Sequence, residues 1–384
     1  VIAEARDLHV VMIVPSLGTT GGLERVATTF ALNAAPQLGR LVVCSRGGNF
    51  ERVLGDAGVP VEIISRPRQS PTQMLRAARD LARVLRREQP NLVHAHNPIS
   101  AVAATLALPL AGLRGVPVVT SYHGVALASA RHAVPALRAT SDLVVAVAPA
   151  PARALLEGGF PRGRLVTVFN AVEAEPTRTR AEVHAEFGIR ADEQLVVTIG
   201  RYVEEKNQHL LLETLALVRR TRPTVRALVV GEGPLEDELR AHARELGLAE
   251  DVTFTGPRDD AVSITAAADV FVLSSASEGL PLALLEAMTL ARPIASTRVG
   301  GIGDAIHDDH TGLLVPPHDA PALAGAIGRL LDDASLRRRL GDEARASAER
   351  RFSLTAMVER MLCIYASVAA MGRRNNRRRT SKAP

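Results

Sequence analysis

The sequence has no tryptophan, and aromatic residues make up only 3% of its 384 residues. Val, Leu, Ile and Ala must therefore fill the cores, and such residues suit parallel strands buried on both faces. Scarce rings also argue against a protein that stacks on nucleic-acid bases. The two cysteines, Cys44 and Cys363, lie far apart in apolar surroundings. Neither has the spacing of a metal knuckle or a redox pair, so both read as small core hydrophobes in a reducing cytoplasm. No segment reads as a secretory signal or a membrane span. The apolar run Ile99–Leu113 has 15 residues and contains Pro109, whereas a bilayer requires about 20 apolar residues. It reads as a buried helix.

Lysine is nearly absent. Among 46 basic residues only Lys206 and Lys382 are lysines, and Lys382 belongs to the extreme C-terminus. The final stretch from Gly372 holds six cations: Arg373, Arg374, Arg377, Arg378, Arg379 and Lys382. Setting those six aside takes the net charge from +5 to −1. The body is thus close to neutral and carries a basic tail, which gives no support for a nucleic-acid partner.

What is present is a 47% hydrophobic chain in which short apolar runs alternate with amphipathic stretches. The first half offers strands at His9–Val14, Leu41–Cys44, Val61–Ile64, Leu92–His94, Val116–Thr120, Leu143–Val147 and Leu165–Val168. The second offers Leu195–Ile199, Ala227–Val230, Val252–Phe254, Val270–Leu273, Ile294–Ser296 and Leu313–Val315. Stretches such as Thr72–Arg87, Leu235–Leu246 and Ala320–Leu331 have helical periodicity. This alternation predicts βαβ units and two parallel sheets. The joint is expected within Ala171–Arg180, giving a domain over 1–172, a second over 173–371 whose last helix crosses back to the first, and a disordered basic tail over 372–384. Ligands of doubly wound sheets lie beyond the carboxyl ends of the strands. Two such domains facing each other would make the cleft between them the site.

Two strand ends carry unusual chemistry. Ser277-Glu278-Gly279-Leu280-Pro281-Leu282 follows the strand at 270–273 and opens a helix that contains Glu286. Pro281 suits a first helical turn, and the amides from Gly279 to Leu282 form a ready anion site. A carboxylate such as Glu286 can accept both hydroxyls of a ribose. Gly200-Arg201-Tyr202-Val203-Glu204-Glu205-Lys206 follows the strand at 195–199. Arg201 and Lys206 can neutralise a diphosphate leaving group without a metal. Lys206 is also the sole lysine of the body, as a compact three-donor charge on a phosphate would require.

With Gly231-Glu232-Gly233-Pro234, Val299-Gly300-Gly301-Ile302 and Thr311-Gly312-Leu313-Leu314-Val315-Pro316, these stretches resemble glycosyltransferase family 4. Gly21-Gly22 after the first strand, Val93-His94-Ala95-His96 and Ser121-Tyr122-His123-Gly124 fit its N-terminal half. The resemblance covers residues 9–370 and implies an α/β GT-B fold, two Rossmann-like doubly wound parallel-sheet domains facing across a cleft. It implies a retaining transfer from a nucleotide-sugar donor. In that picture Arg201 and Lys206 hold the diphosphate, Glu286 the ribose and Glu278 hydroxyls of the sugar. Gly279, Leu280, Pro281 and Leu282 line the phosphates, with Gly21, Gly22 and Gly231 beside the donor. Arg258 lies in the loop that holds the base, largely through backbone groups, and His123 serves the donor sugar and acceptor. No cofactor and no metal are expected. The acceptor attacks on the leaving group's face, and the departing phosphate takes its proton.

The sequence departs from the family at Asn170-Ala171-Val172-Glu173 and at Gly303-Asp304, which leaves the sugar open. UDP is preferred over GDP, and the acceptor is lipid-linked, a saccharide or a small molecule. Pro15–Gly22 lacks a dinucleotide glycine fingerprint, which argues against a dehydrogenase. A GT-B nucleotide-sugar epimerase and a non-catalytic sugar-nucleotide-binding protein remain alternatives. His94 and His96 are assigned to opposite faces of one strand, excluding a shared metal. Finally, Arg76, Arg79, Arg83, Arg86 and Arg87 gather on one helix face opposite Met74, Leu75, Ala78, Leu81, Ala82 and Leu85. With the tail they offer a peripheral contact with an anionic membrane, against the plainer reading of a solvated face and a loose end.

Overall fold

A computed structural model describes residues 5–18, 21–68, 70–124 and 127–380. Thr19, Thr20 and Lys382 lie outside the described residues. The chain forms two compact units, one of residues 1–170 with 354–384, the other of residues 171–353.

The first unit runs β1 (His9–Ile13), α1 (Gly22–Ala34), β2 (Arg40–Ser45), α2 (Phe50–Asp56), β3 (Val61–Ile63), α3 (Pro71–Glu88), β4 (Leu92–Ala95), α4 (Pro98–Leu110), β5 (Val118–Tyr122), α5 (Leu127–Thr140), β6 (Leu143–Ala146), α6 (Pro149–Glu157) and β7 (Leu165–Thr167). The second runs α7 (Arg180–Glu186), β8 (Gln194–Ile199), α8 (Gln208–Arg219), β9 (Val225–Val230), α9 (Glu236–Glu245), β10 (Val252–Gly256), α10 (Ala261–Ala267), β11 (Val270–Leu273), α11 (Leu282–Thr289), β12 (Ile294–Thr297), α12 (Gly300–Ala305), β13 (Leu313–Val315), α13 (Ala320–Asp332) and α14 (Ala334–Arg351). The final helix α15 (Leu354–Thr380) belongs to the first unit.

Every strand expected from the apolar runs forms, within a residue or two, and all pair in parallel. The strand orders are β3-β2-β1-β4-β5-β6-β7 and β10-β9-β8-β11-β12-β13. Both orders reverse once, between β1 and β4 and between β8 and β11. In open α/β sheets that reversal splays the following loops apart and opens a crevice at the strand carboxyl ends.

The cores are aliphatic, as the composition requires. Val11, Ile13, Val42, Val93 and Leu81 pack together in the first unit, and Val196, Val229, Val270, Leu215 and Leu323 in the second. Helix α4 buries Ala101, Ala104 and Ala107, so the apolar run is a core helix. Helix α15 buries Met357, Met361, Leu362 and Tyr365. Its stretch is long and apolar enough to cross a membrane, but half of it is buried inside the protein. The helix continues to Thr380, past Gly372, where a disordered tail was expected. No proline interrupts it before Pro384, and Arg is a good helix former. Cys44 is buried, whereas Cys363 is only partly so.

Candidate active site

In the second unit the two chemically marked loops follow β8 and β11, the neighbours at the reversal point. The chain leaving β8 makes one short turn over Glu204–Lys206 and then starts α8, with Asn207 at φ 48 as its cap. This turn sends Lys206 back across Gly200, where an added Cβ would lie 3.3 Å from the lysine Cδ. Lys206 Nζ meets Glu278 Oε1 at 2.5 Å, and Ser275 Oγ donates to the same oxygen at 2.7 Å. Backbone ties hold the loops in register: Ser274 Oγ donates to the Lys206 carbonyl at 3.1 Å, and the Ala276 amide donates to the Glu205 carbonyl at 2.9 Å. Thr297 Oγ1 donates to the Ser275 carbonyl at 2.6 Å. Burying a charge is costly unless it is paired and hydrogen-bonded, and Glu278 has one partner of each kind in Lys206 and Ser275.

The glycine loop entering α12 forms the floor beneath Glu278. A Cβ on Gly300 would lie 1.8 Å from the Glu278 carbonyl oxygen, and one on Gly301 1.7 Å from that of Gly279. Only glycine permits this approach. The Gly301 amide donates to the Glu278 carbonyl at 3.3 Å. Gly231, at φ +141, lies against the Gly200 carbonyl in the same way, with 2.1 Å to an added Cβ. Tyr202 anchors this side, fully buried, its hydroxyl donating to the Val229 carbonyl at 2.8 Å.

Helix α11 begins at Leu282 with Pro281 as its cap residue, one position later than expected. The Leu284 and Leu285 amides bond back to the Pro281 carbonyl, which spends that group as the first acceptor of the helix. Glu286 is fully buried on α11, and Arg201 is exposed. Arg258 follows β10, but its guanidinium is bidentate on Asp260, at 2.8 and 2.9 Å, and also reaches Glu186 at 2.9 Å. Arg178 shares both carboxylates. Hydrogen bonding to Arg258 holds Asp260 down at about 2. The Arg258 side chain is therefore already engaged within its own loop.

The first unit presents a row of histidines at its own reversal point. His94 and His96 lie on the same side, with ring centroids 4.2 Å apart. The expectation of opposite faces fails because residues two apart in a strand share a face. His96 stacks on His123, 5.9 Å away and inclined by 21°. His94 is held at both nitrogens, Nε2 by Ser121 Oγ at 2.8 Å and Nδ1 by the Tyr365 hydroxyl of α15 at 2.6 Å. Burial pushes His123 down to about 4 and His94 to about 3, so all three rings are neutral near pH 7. Gly21 caps α1, and Glu24 in its first turn accepts from Ser16 Oγ at 2.7 Å.

Ser275, Thr297 and Tyr365 were not found from the sequence, and Tyr202 stood in the motif after β8 without a role. Ser275 lies three residues before Glu278, a spacing that could have flagged it; Tyr365 has no local signal. The sequence has three pairs of adjacent aspartates, Asp259-Asp260, Asp308-Asp309 and Asp332-Asp333, and Asp260 of the first pair is held by Arg258 and Arg178. Asp308 meets Arg298, Asp309 meets Arg329, Asp332 meets Arg222, and Asp333 caps α14. Among the described residues no three His, Cys, Asp or Glu side chains cluster as metal ligands would.

Residues 20–176 match the family described as Glycosyltransferase Family 4, and residues 179–347 that described as Glycosyl transferases group 1. A D-inositol 3-phosphate glycosyltransferase of Mycobacteroides abscessus is 31% identical over 365 residues, 83% of this chain and 78% of that protein. An alpha-D-kanosaminyltransferase of Streptomyces kanamyceticus is 29% identical, over 74% of this chain and 79% of the relative. The crystal structure of Anabaena HepE with UDP and glucose superposes with a TM-score of 0.83 at 22% identity, covering 94% of this chain and all (100%) of that one.

Proposed function

Because the chain belongs to glycosyltransferase family 4 and has the GT-B fold, we propose that it moves a hexose or N-acetylhexosamine from a nucleotide-sugar donor to an acceptor, with retention and without a metal. The observation that carries this reading is the Lys206–Glu278 pair at the reversal point of the second unit. An ammonium already in place on a strand end can take the charge of a leaving diphosphate at no cost in reorganisation. The adjoining carboxylate then accepts sugar hydroxyls. Arg201 adds a second cation, Glu286 takes the ribose, Gly231 and the N–H groups of Gly279, Leu280 and Leu282 are assigned to the donor phosphates, and Gly21 and Gly22 are assigned to the donor from the first unit. UDP is preferred because HepE, with the same fold, was captured with UDP and with UDP-glucose.

In the transfer step the bond between the anomeric carbon and the phosphate oxygen breaks, and its electron pair leaves with the diphosphate. The acceptor oxygen bonds to that carbon on the same face, and its proton passes to the departing phosphate. The protein positions and stabilises charge. His123 is assigned to the transferred sugar and the acceptor, as a neutral imidazole that can donate and accept hydrogen bonds.

Thermal shift with a panel of UDP- and GDP-sugars, followed by acceptor-free hydrolysis, tests this reading. A ligand at 100 times its Kd stabilises by about 2.7 kcal/mol, a clear shift. No stabilisation and no hydrolysis across the panel would overturn it, and a donor sugar altered without any acceptor would favour an epimerase instead.

We further assign an anionic membrane surface to the face of α3. Arg76, Arg79, Arg83, Arg86 and Arg87 are all exposed. Leu75, expected on the inner face, is 46% exposed, and Leu110, whose carbonyl accepts from Arg86 at 2.6 Å, is 48% exposed. Exposed leucines beside arginines suit an interface. Arg83 is paired with Asp80, and Arg87 with Glu62 and Glu88, which reduces the free charge of the face.

A further inference from the structure

His96 is 2% exposed, and among the described residues neither of its ring nitrogens meets a partner. His123 Nε2 is likewise buried without one. Polar atoms stranded in a core cost several kcal/mol and are rare, so two neighbouring rings in that condition need a physical cause. Beside them is a cavity of about 20 Å³ lined by His94, His96, Ser121, His123, Asn170 and Met361. A volume of roughly 10–15 Å³ accommodates one water, which needs two to four polar partners. The site meets both conditions. Ser121 and Tyr365 fix His94, which makes a rigid floor under His96.

We propose that His96 is a positioning residue for His123, acting through one water held in this cavity. A neutral imidazole has one donor nitrogen and one acceptor nitrogen. A water shared by His96 and His123 Nε2 donates to one ring and accepts from the other, and so fixes which nitrogen of His123 carries the proton. That choice sets the character of Nδ1, the nitrogen left for the reacting groups. Tyr365 then has a role at a distance: by holding His94 it holds the ring on which His96 rests. The catalytic part of this inference rests on the assignment of His123 to the transfer step; the water and the tautomer do not.

Three measurements on the full chain test it. A crystal structure at about 1.2 Å should show one water within hydrogen-bond distance of His96 and His123 Nε2, and a dry cavity overturns the proposal. Ring ¹⁵N NMR should show a single tautomer for His123, which becomes mixed in His96→Leu and single again in His96→Gln; an unchanged tautomer in His96→Leu also overturns it. Acceptor-free hydrolysis of UDP-glucose, or of GDP-mannose if that is the donor turned over, should fall about tenfold in kcat for His96→Leu with KM unchanged. In a His123→Ala background the same change should add nothing, and a full tenfold further loss there refutes positioning. A tautomer that responds while His123→Ala keeps full turnover supports the water contact and refutes the role given to His123.

Discussion

Lys206→Ala separates the binding of charge from the stability of the fold. The ammonium meets Glu278 at 2.5 Å, with the lysine side chain 23% and the carboxylate 8% exposed. Removing one preorganised charge contact on a developing anion costs about 2.7–4 kcal/mol, or roughly 100- to 1,000-fold in kcat. The fold loses less. Glu278 keeps the Ser275 hydrogen bond, and leaving a buried polar group partly satisfied costs about 1–3 kcal/mol. Because the pair is partly exposed, solvent screening places the loss near the lower end, at about 1–2 kcal/mol. For a unit of this size each kcal/mol lowers Tm by about 2–4 °C, so the melt should drop by roughly 2–8 °C with the protein still folded at 25 °C. Adding Glu278→Gln should recover most of that Tm, because an amide needs no ionic partner, without recovering turnover. Donor consumption measured as nucleotide release, beside a melt of each variant, reads both quantities. Lys206→Ala turning over within threefold of the parent would refute the assignment of Lys206 to the leaving group. Recovery of activity in the double variant would show that the loss had come from stability alone.

Gly301→Ala should displace the Glu278 loop, because its Cβ would lie 1.7 Å from the Gly279 carbonyl oxygen; overpacking of about 1–3 kcal/mol and a raised donor KM are expected, and a normal KM would contradict the floor described for the loop. Activity should persist in excess EDTA, and a complete loss restored by Mg²⁺ or Mn²⁺ would refute metal independence. Stability should fall on acidification. Burial holds His123 at about 4 and His94 at about 3, whereas an unfolded histidine titrates near 6.5, so below about pH 6.5 the unfolded chain takes up protons that the folded chain refuses until about pH 4 and 3. Denaturant melts at pH 7.5, 6 and 5 measure this, and a His123→Asn variant with an unreduced slope would refute its share. Binding to vesicles of anionic lipid should fall with salt and weaken when residues after Gly372 are removed; a protein that stays in the supernatant with anionic vesicles at low salt ends the membrane assignment.

The sheets were readable in the sequence because parallel strands are buried on both faces and so appear as unbroken apolar runs, of which Val270–Leu273 is an example. The loops after β8 and β11 were readable for a different reason: chemistry at a strand end is unusual, and a sole body lysine at position 206 is conspicuous. What joins them was not. Ser275 and Thr297 are ordinary residues of strand ends, and only the fold brings Thr297 to the Ser275 carbonyl at 2.6 Å. The Arg258 guanidinium was not readable either: its loop was marked by its place after a strand, but only the fold brings Glu186, 72 positions away in sequence, against it beside Asp260.

The histidine row marks a harder boundary. His94 and His96 were visible, but their relation depends on a face assignment, and a one-residue error in strand logic moves every side chain to the other side. Tyr365 lies 271 positions from His94 in sequence, yet its hydroxyl holds that ring at 2.6 Å. Nothing local to Leu354–Thr380 announces this, because the tyrosine sits in an apolar helix whose periodicity is satisfied by burial alone. The helix that ends the chain therefore does two things in the first unit. Met357, Met361 and Leu362 add to its core, where any apolar residue of similar volume would serve. Tyr365 adds a specific polar contact to a buried imidazole, where almost none would. Tyr365→Phe should therefore cost more than its small change in volume implies, because it leaves His94 Nδ1 buried without a partner, a loss of about 1–3 kcal/mol. A Tyr365→Phe protein that melts with the parent would show that another group satisfies the ring, and that the floor beneath His96 does not depend on α15.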